Sequence, residues 1–306
     1  MQLRFIALLI VRKNILFVIN PISGGKSKER IEQLIIDHLD HNQYDYEMAY
    51  SNAVDHARKL SKSAVHLGFD VVVAVGGDGT VNEVARGIMS INADVALGII
   101  PFGSGNGLAL HLGIPTNPRK AIETLNHNKI KVIDSAILND VPFFNTAGVG
   151  FDAHISALFA NNKKRGFSGY VKSVLKEFKK YKSQEYELTI DGEKYFRKAF
   201  MISFANSTQF GNNAQIAPLA DISDGWLDVS VVKPFPAYQF PALAWRLMSG
   251  TAHHSSYVEI IKAKEIIVQR KENGAVHLDG EPRELNGQLD IKIRPASMKV
   301  LVPLTK

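Results

Sequence analysis

The sequence predicts an α/β unit followed by a β-rich unit with inserted helices. Three observations carry that prediction. In the first third, short apolar runs lead through glycine-rich turns into segments with apolar residues at i, i+4 spacing, the pattern of parallel strands with crossover helices. From about Lys131 the runs are joined instead by Asx-Gly or Asn-Asp turns, which signal hairpins. With 306 residues, 45% of them hydrophobic, the chain fills two cores more comfortably than one. The predicted boundary lies near residue 135. Residues 1–135 form the α/β domain and 136–296 the β-rich one, while 297–306 read as a strand able to return to either.

The chain opens with the apolar run Phe5–Val11. A membrane span needs roughly 20 apolar residues, and Arg12-Lys13 stand where a signal peptide would need small residues. The run therefore reads as an extra strand or as the result of an upstream start codon. No other stretch is a transmembrane candidate, and the expected location is cytoplasmic, soluble or peripheral to a membrane. The absence of cysteine excludes disulfides and thiolate metal sites and fits a reducing compartment. A net charge of +6 points to an anionic partner: a nucleotide, a nucleic acid or an acidic membrane surface.

Along the α/β unit, "NILFVIN" (Asn14–Asn20) reads as a buried strand, "PISGGKSKE" as its loop, and Ile31, Ile35 and Leu39 as one stripe of a helix. "VVVAV" leads into "GGDGT" and a helix carrying Val81, Val84 and Ile88; "VALGII" leads into "PFGSGNG" and a helix with Leu108 and Leu112. In open α/β sheets such loops gather at the carboxyl edge of the strands, where ligands bind. In the second unit "KVIDSAIL-ND-VPFFNTAG", "YELTI-DG-EKYFRKAF" and "AVHL-DG-EPRELNGQLDIKI" read as strand pairs.

Glycine lets backbone amides approach a ligand closely, and a helix N-terminus adds unpaired N–H groups, so three such loops in succession suit phosphate. Neither familiar phosphate motif is present. Asn20 stands where a P-loop ending in "GGKS" needs its first glycine, and neither GGDGT nor GSGNG has the spacing of a dinucleotide fingerprint. Asp78 within GGDGT repels phosphate unless it meets a divalent cation or handles a proton, the two services of phosphoryl transfer. It also suits the N-cap of a helix beginning near Val81.

"NPISGG" (Asn20–Gly25), "GGDGTVNEV" (Gly76–Val84), "PFGSGNGLA" (Pro101–Ala109), "TAGVGFDA" (Thr146–Ala153), "IAPLADISDGWLDV" (Ile216–Val229) and "HLDGEP" (His277–Pro282) follow one another in an order that resembles the catalytic domain shared by diacylglycerol kinases, sphingosine kinases and bacterial soluble lipid kinases. The resemblance runs from about residue 13 to the C-terminus and is nearest the bacterial branch. It implies a three-layer α/β nucleotide domain like that of NAD kinases and phosphofructokinases, a C-terminal β-sandwich, and ATP in the cleft between them. By position, Asn20, Pro21, Ile22, Ser23 and Gly24 would lie near the phosphates. Ser51 stands where the family usually has threonine. Gly77, Asp78, Gly79, Thr80, Val81, Asn82, Glu83 and Ser104 would complete the ATP site. Asp221, Asp224 and Trp226 match a Mg²⁺ site in which Asp224 gives the carboxylate and its neighbours backbone carbonyls. Glu281 stands where the family places its proton acceptor, a role Asp78 could share. One departure is Asn212-Asn213, where glycines are common.

Each of these has a plainer reading. "DGE" occurs at Asp191–Glu193 as well as at Asp279–Glu281, and both can be hairpin turns. Asp224-Gly225 is a good hairpin dipeptide, and Asp152 either faces the acceptor or caps a helix. His253 and His254 have no partner at metal-ligand spacing. In Lys163–Ser183, Phe167, Tyr170, Val174, Phe178 and Tyr181 recur at helical spacing among lysines, giving either a helix packed on the second domain or one meeting anionic headgroups. The resulting expectation is an ATP- and Mg²⁺-dependent kinase of a lipid alcohol such as diacylglycerol, with peripheral membrane contact, no nucleic acid, and homodimerisation left open. The alternatives are a kinase of a soluble acceptor such as NAD, and an idle nucleotide-responsive protein that binds membranes.

Overall fold

The computed structural model describes residues 12–23, 29–91, 94–103, 105–160, 174, 176–211 and 214–304. The run Phe5–Val11 lies outside them. In the first half β1 (Lys13–Ile19), α1 (Glu29–His38), β2 (Tyr44–Tyr50), α2 (His56–His66), β3 (Val71–Gly76), α3 (Asp78–Met89) and β4 (Ala96–Pro101) alternate, followed by α4 (Gly107–His111) and α5 (Pro118–Asn126). Strands β2, β1, β3 and β4 pair in that order and in parallel. Helices cover both faces, which is why Ile15–Ile19 and Val71–Val75 are buried without alternation. The stripe of Ile31, Ile35 and Leu39 is buried against them. β2 has the mixed composition of an edge strand; it is fixed by buried Tyr44, whose hydroxyl donates to Leu125 O at 2.9 Å.

The chain then enters a sandwich through β5 (Ile130–Leu138), β6 (Val141–Phe143), β7 (Thr146–Gly150) and α6 (Phe151–Ala160). β8 (Gln184–Ile190), β9 (Glu193–Ala199), β10 (Met201–Ala205), β11 (Gln209–Gly211), β12 (Ala214–Gln215) and β13 (Leu227–Val232) follow. The last elements are α7 (Phe240–Met248), β14 (Val258–Ala263), β15 (Glu265–Gln269), β16 (Gly274–Leu278), β17 (Glu281–Leu285) and β18 (Gln288–Leu301). One sheet runs β14-β13-β10-β7-β16-β17. Its inner face, with Val149, Phe204 and Val229, packs on Leu188, Val268 and Ile291 of the other sheet. Three hairpins turn at Asn139-Asp140, Asp191-Gly192 and Asp279-Gly280. Both residues of each have positive φ (44° and 66°, 48° and 91°, 50° and 85°), the twist that right-handed strands require.

The long β18 joins the two halves. Its start pairs antiparallel with β15 and its end parallel with β4, so a single sheet runs β2-β1-β3-β4-β18-β15-β8-β9. β5 lies along β18 and crosses residue 135 without a break. The register shifts between Arg294 and Met298, where Ala296 has φ 48°. Buried Asp134 holds that bulge, accepting from Ala296 N and Gly225 N, both at 2.7 Å.

Helices α6 and α7 are the inserted helices; they share an apolar cluster of Phe151, Phe200, Met201 and Leu243. Of the lysine-rich segment only Val174 and residues from 176 onward are described; Phe167 and Tyr170 lie outside. Phe178 and Tyr181 face that cluster, with ring centroids 6.3 and 5.4 Å from Phe151. Among the described residues no helix is long and apolar enough to cross a membrane.

Candidate active site

The loops after β1, β3 and β4 meet at one edge because their strands are adjacent and parallel. The two that follow β3 and β4 lie back to back. A Cβ on Gly103 would come within 2.6 Å of Gly77 Cα, so no side chain fits between them. Phe102 N donates to Gly76 O at 2.7 Å. What the GGDGT loop approaches so closely is therefore, first of all, its neighbour.

Asp78 completes this contact. Gly77 is the N-cap of α3 and Asp78 its first residue, so the side chain does not cap its own helix. It caps α4 instead: Gly107 N donates to Oδ1 and Asn106 N to Oδ2, both at 2.8 Å. Asn106, itself left-handed at φ 53°, closes the loop by accepting from Gly103 N and donating to Gly103 O. Loss of water pushes the Asp78 carboxyl up to about 6 against these amide bonds, and nearby Asp279 adds to the rise.

The remaining residues expected around the nucleotide fall into two groups. Asn20 reaches from the end of β1 to the first turn of α3, donating to Thr80 Oγ1 at 3.0 Å and accepting from Ile22 N at 3.1 Å. Pro21 and Ile22 are exposed beside it, and Ser51 is buried one strand away, with its N–H on Ile19 O. Glu83, Asn82 and Val81 point elsewhere. Glu83 accepts from Asp55 N and Ala57 N at the start of α2, Asn82 donates to Asp279 Oδ2 at 2.7 Å, and Val81 is buried. Gly24 and Ser104 lie outside the described residues.

Asp279 is the residue that sequence reasoning passed over. Half-buried, it accepts from Asn82 Nδ2, from Phe144 N at 3.0 Å, Asn145 N at 2.8 Å and Thr146 N at 3.1 Å. One carboxylate thus ties α3 to the start of β7 and to the β16–β17 hairpin. Burial raises its pKa; the four hydrogen bonds oppose that rise. The DG dipeptide announced a turn, but no local signal says that its carboxylate meets amides of Phe144–Thr146. The same junction is tightened by Asn206, whose amide donates to Asp134 O and Phe144 O, and by His111, whose Nδ1 lies 3.1 Å from Thr208 Oγ1.

Two residues beyond Asp279, Glu281 lies over the first turn of α3. A Cβ on Gly79 would sit 2.7 Å from its Oε1. The Glu281 carboxylate has no hydrogen-bond partner among the described residues. Desolvation raises its pKa, and the charges of Glu83 and Asp279 raise it further, against Arg283 and Arg86. Gly79→Ala should separate stability from turnover. Alanine favours the helix by about 1 kcal/mol, whereas displacing Glu281 by a fraction of an ångström should cut turnover about 10- to 100-fold. A thermal melt beside an initial-rate assay checks this.

Known proteins share these two domains. Residues 14–137 match the family described as "Diacylglycerol kinase catalytic domain", and residues 145–302 match "YegS C-terminal NAD kinase beta sandwich-like domain". The protein named "Probable lipid kinase YegS-like" of Chromohalobacter salexigens is 31% identical over 229 residues, 73% of each chain. The chain belongs to the diacylglycerol kinase and YegS-like lipid kinase family. "Diacylglycerol kinase" of Bacillus subtilis is 26% identical over 269 residues, covering 86% of this chain and 88% of that one. A solved diacylglycerol kinase structure from Bacillus anthracis superposes with a TM-score of 0.73 at 20% identity, covering 95% and 97% of the two chains. At family level the chain is a phosphotransferase of the lipid-kinase type, and membership of a kinase family implies use of ATP.

The loop expected to bind Mg²⁺ does not fit a cation, because its Asp224 carboxylate is taken up by Trp226 N and Lys262. Asp221 Oδ1 accepts from Ser223 N and Oγ at 3.0 and 2.7 Å. Asp224 accepts from Trp226 N at 3.0 Å and faces Lys262 Nζ at 2.6 Å, an ammonium that also lies 3.4 Å from Asp228. The Trp226 ring is covered by Lys264, 4.5 Å from its centroid. Among the described residues no three acidic or histidine side chains gather as a cation cage. Nor does Asp152 sit free: it accepts from Ala153 N at 2.8 Å and pairs with buried His277 at 3.0 Å.

Proposed function

We propose that the protein transfers the γ-phosphoryl group of ATP to the hydroxyl of a lipid alcohol of the diacylglycerol class. The observation that carries this reading is Glu281: a carboxylate from the sandwich, unpartnered among the described residues, lying over the N-terminal turn of α3 beside the paired glycine loops. The triphosphate is assigned to the edge formed by Asn20–Ser23, Ser51 and Gly77–Thr80, where the N-terminal turn of α3 offers N–H groups. The acceptor oxygen attacks the γ-phosphorus, the bond to the bridging oxygen breaks with its electron pair leaving on ADP, and the hydroxyl proton passes to Glu281. A raised pKa suits that role, because a base works best when its pKa nears the working pH. Asp78 fixes the α4 loop against α3 and, in this reading, shapes the phosphate site rather than taking the proton. Mg²⁺ carried on the nucleotide would lower its negative charge, and no step here is assigned to a protein-held cation.

The test is to incubate the purified protein with γ-labelled ATP and a total lipid extract, then identify the labelled products by mass spectrometry. Label in a solvent-extractable phosphate monoester is the expected result. Label found only in a soluble acceptor such as NAD, or only in inorganic phosphate, overturns the proposal.

A further inference from the structure

Helix α7 and the 3₁₀ turn before it (Ala237–Gln239) are apolar on both sides apart from Gln239 and Arg246, although one side faces solvent. Inward, Leu243 is buried, Leu247 packs on the same cluster, and Phe240 meets Phe178 with ring centroids 4.5 Å apart. Outward, Tyr238 is 76% exposed, Trp245 73% and Met248 53%, with Pro241 and Ala242 exposed between them. These positions recur at three- and four-residue intervals and so form one stripe. From Pro234 to Trp245 the sequence holds no charged residue. A surface helix ordinarily turns a polar face to water; one apolar all round is covered by something.

Two further observations indicate what covers it. The stripe combines tryptophan and tyrosine, side chains whose apolar body and polar edge suit the boundary between headgroups and acyl chains. Beside it stands a basic segment. The Phe178–Phe240 contact places residues 176–182 against α7, and Lys176, Lys179, Lys180 and Lys182 there are exposed. Apolar face and flanking lysines together match an anionic bilayer surface, whereas a protein partner would more usually meet a polar rim of mixed charge. The face is also joined to the cleft. The rings beneath α7 include Phe151, the first residue of α6, and its neighbour Asp152 pairs with His277, two residues before Asp279.

We infer that the outer face of α7, with the lysines of 176–182, is the surface by which this protein docks on membranes containing anionic lipid. Trp245 and Tyr238 enter the headgroup boundary while the lysines neutralise the lipid charge. The inference takes its partner from the lipid-acceptor reading, but it is measured without turnover.

The sequence holds two tryptophans, so a Trp226→Phe background leaves Trp245 as the sole reporter. Its emission should shift to the blue and be quenched by chain-brominated lipid when phosphatidylglycerol-containing vesicles are added. The response should be weaker with pure phosphatidylcholine and should fall with salt. In the otherwise native chain, Tyr238→Ser with Trp245→Ser should lower vesicle co-sedimentation about tenfold or more. Transfer to a short-chain diacylglycerol dispersed in detergent should remain at the native level. Emission unmoved by either vesicle overturns the proposal, as does a blue shift that depends on protein concentration alone, which would mean that a second copy covers the face. Vesicle binding that persists without transfer to any lipid would uphold the docking surface and refute the lipid-kinase reaction.

Discussion

Glu281→Gln should lower the transfer rate by about 10²–10⁴ while leaving the fold intact, because glutamine keeps the shape but cannot accept the acceptor's proton. Its carboxylate has no hydrogen-bond partner among the described residues, so the substitution deprives none of their donors of an acceptor. The pH profile refines the expectation. Asp78, pushed to about 6, gains a proton below that value and weakens one of its two amide bonds to the start of α4. Activity should therefore fall as pH drops through about 6 in native protein and variant alike. A second acid limb, owed to Glu281, should vanish in the variant. If Glu281→Gln retains native turnover with its pH profile unchanged, Glu281 is not the base. Initial rates across pH on a lipid acceptor make the measurement.

Asp279→Ala should destabilise the protein by about 3–5 kcal/mol, the usual cost of removing one side of a buried charged network. Four donors lose their acceptor at once: Asn82 Nδ2 and the amides of Phe144, Asn145 and Thr146. The expected fall in melting temperature is about 5–15 °C. Asp279→Asn should recover only part of it, since each carboxylate oxygen accepts from two donors and the NH₂ group must face one such pair. Turnover should drop in both variants even where they remain folded, because Asp279 sets the hairpin that carries Glu281. Thermal melts paired with kinetics below the transition check both effects. A melting temperature within about 2 °C of native for the alanine variant would refute the role of Asp279 as the tie between the two halves.

Much of the fold was legible because its cause is local. Buried parallel strands need no polar alternation, so Ile15–Ile19 and Val71–Val75 declare themselves as apolar runs. A two-residue hairpin needs two positive φ angles, so Asn139-Asp140, Asp191-Gly192 and Asp279-Gly280 announce their turns. The edge strand β2 gave no such signal. It is only half covered, and its composition resembles a loop. β18 was legible as two pieces, the end of the run "EPRELNGQLDIKI" and 297–306, not as one strand. That one strand of this length serves both halves depends on a bulge held by Asp134, which sits far away in sequence.

The candidate site divides in the same way. Glycine loops after successive strands mark the edge at which they gather, and the order of six motifs marks the family. The partners of the carboxylates were not legible. Asp78 looked like the cap of its own helix and caps another; Glu83 looked like part of the nucleotide loop and holds α2; Asp224 looked like a cation ligand and meets Lys262. A carboxylate is bound by whichever N–H groups or ammonium the fold brings within about 3 Å, and those donors lie tens to hundreds of residues away.

Sequence by itself determined the strand–loop–helix repeat, the hairpins and the residues available for phosphoryl transfer, since backbone conformation at glycine, Asx and apolar runs is set by near neighbours. Tertiary structure alone decided that Asp279 binds the halves together, that the carboxylate of Glu281, unlike that of Glu193 in the other DGE, lies over α3, and that α7 presents tryptophan to its surroundings. Those outcomes depend on which distant surfaces pack, and packing is a property of the whole chain.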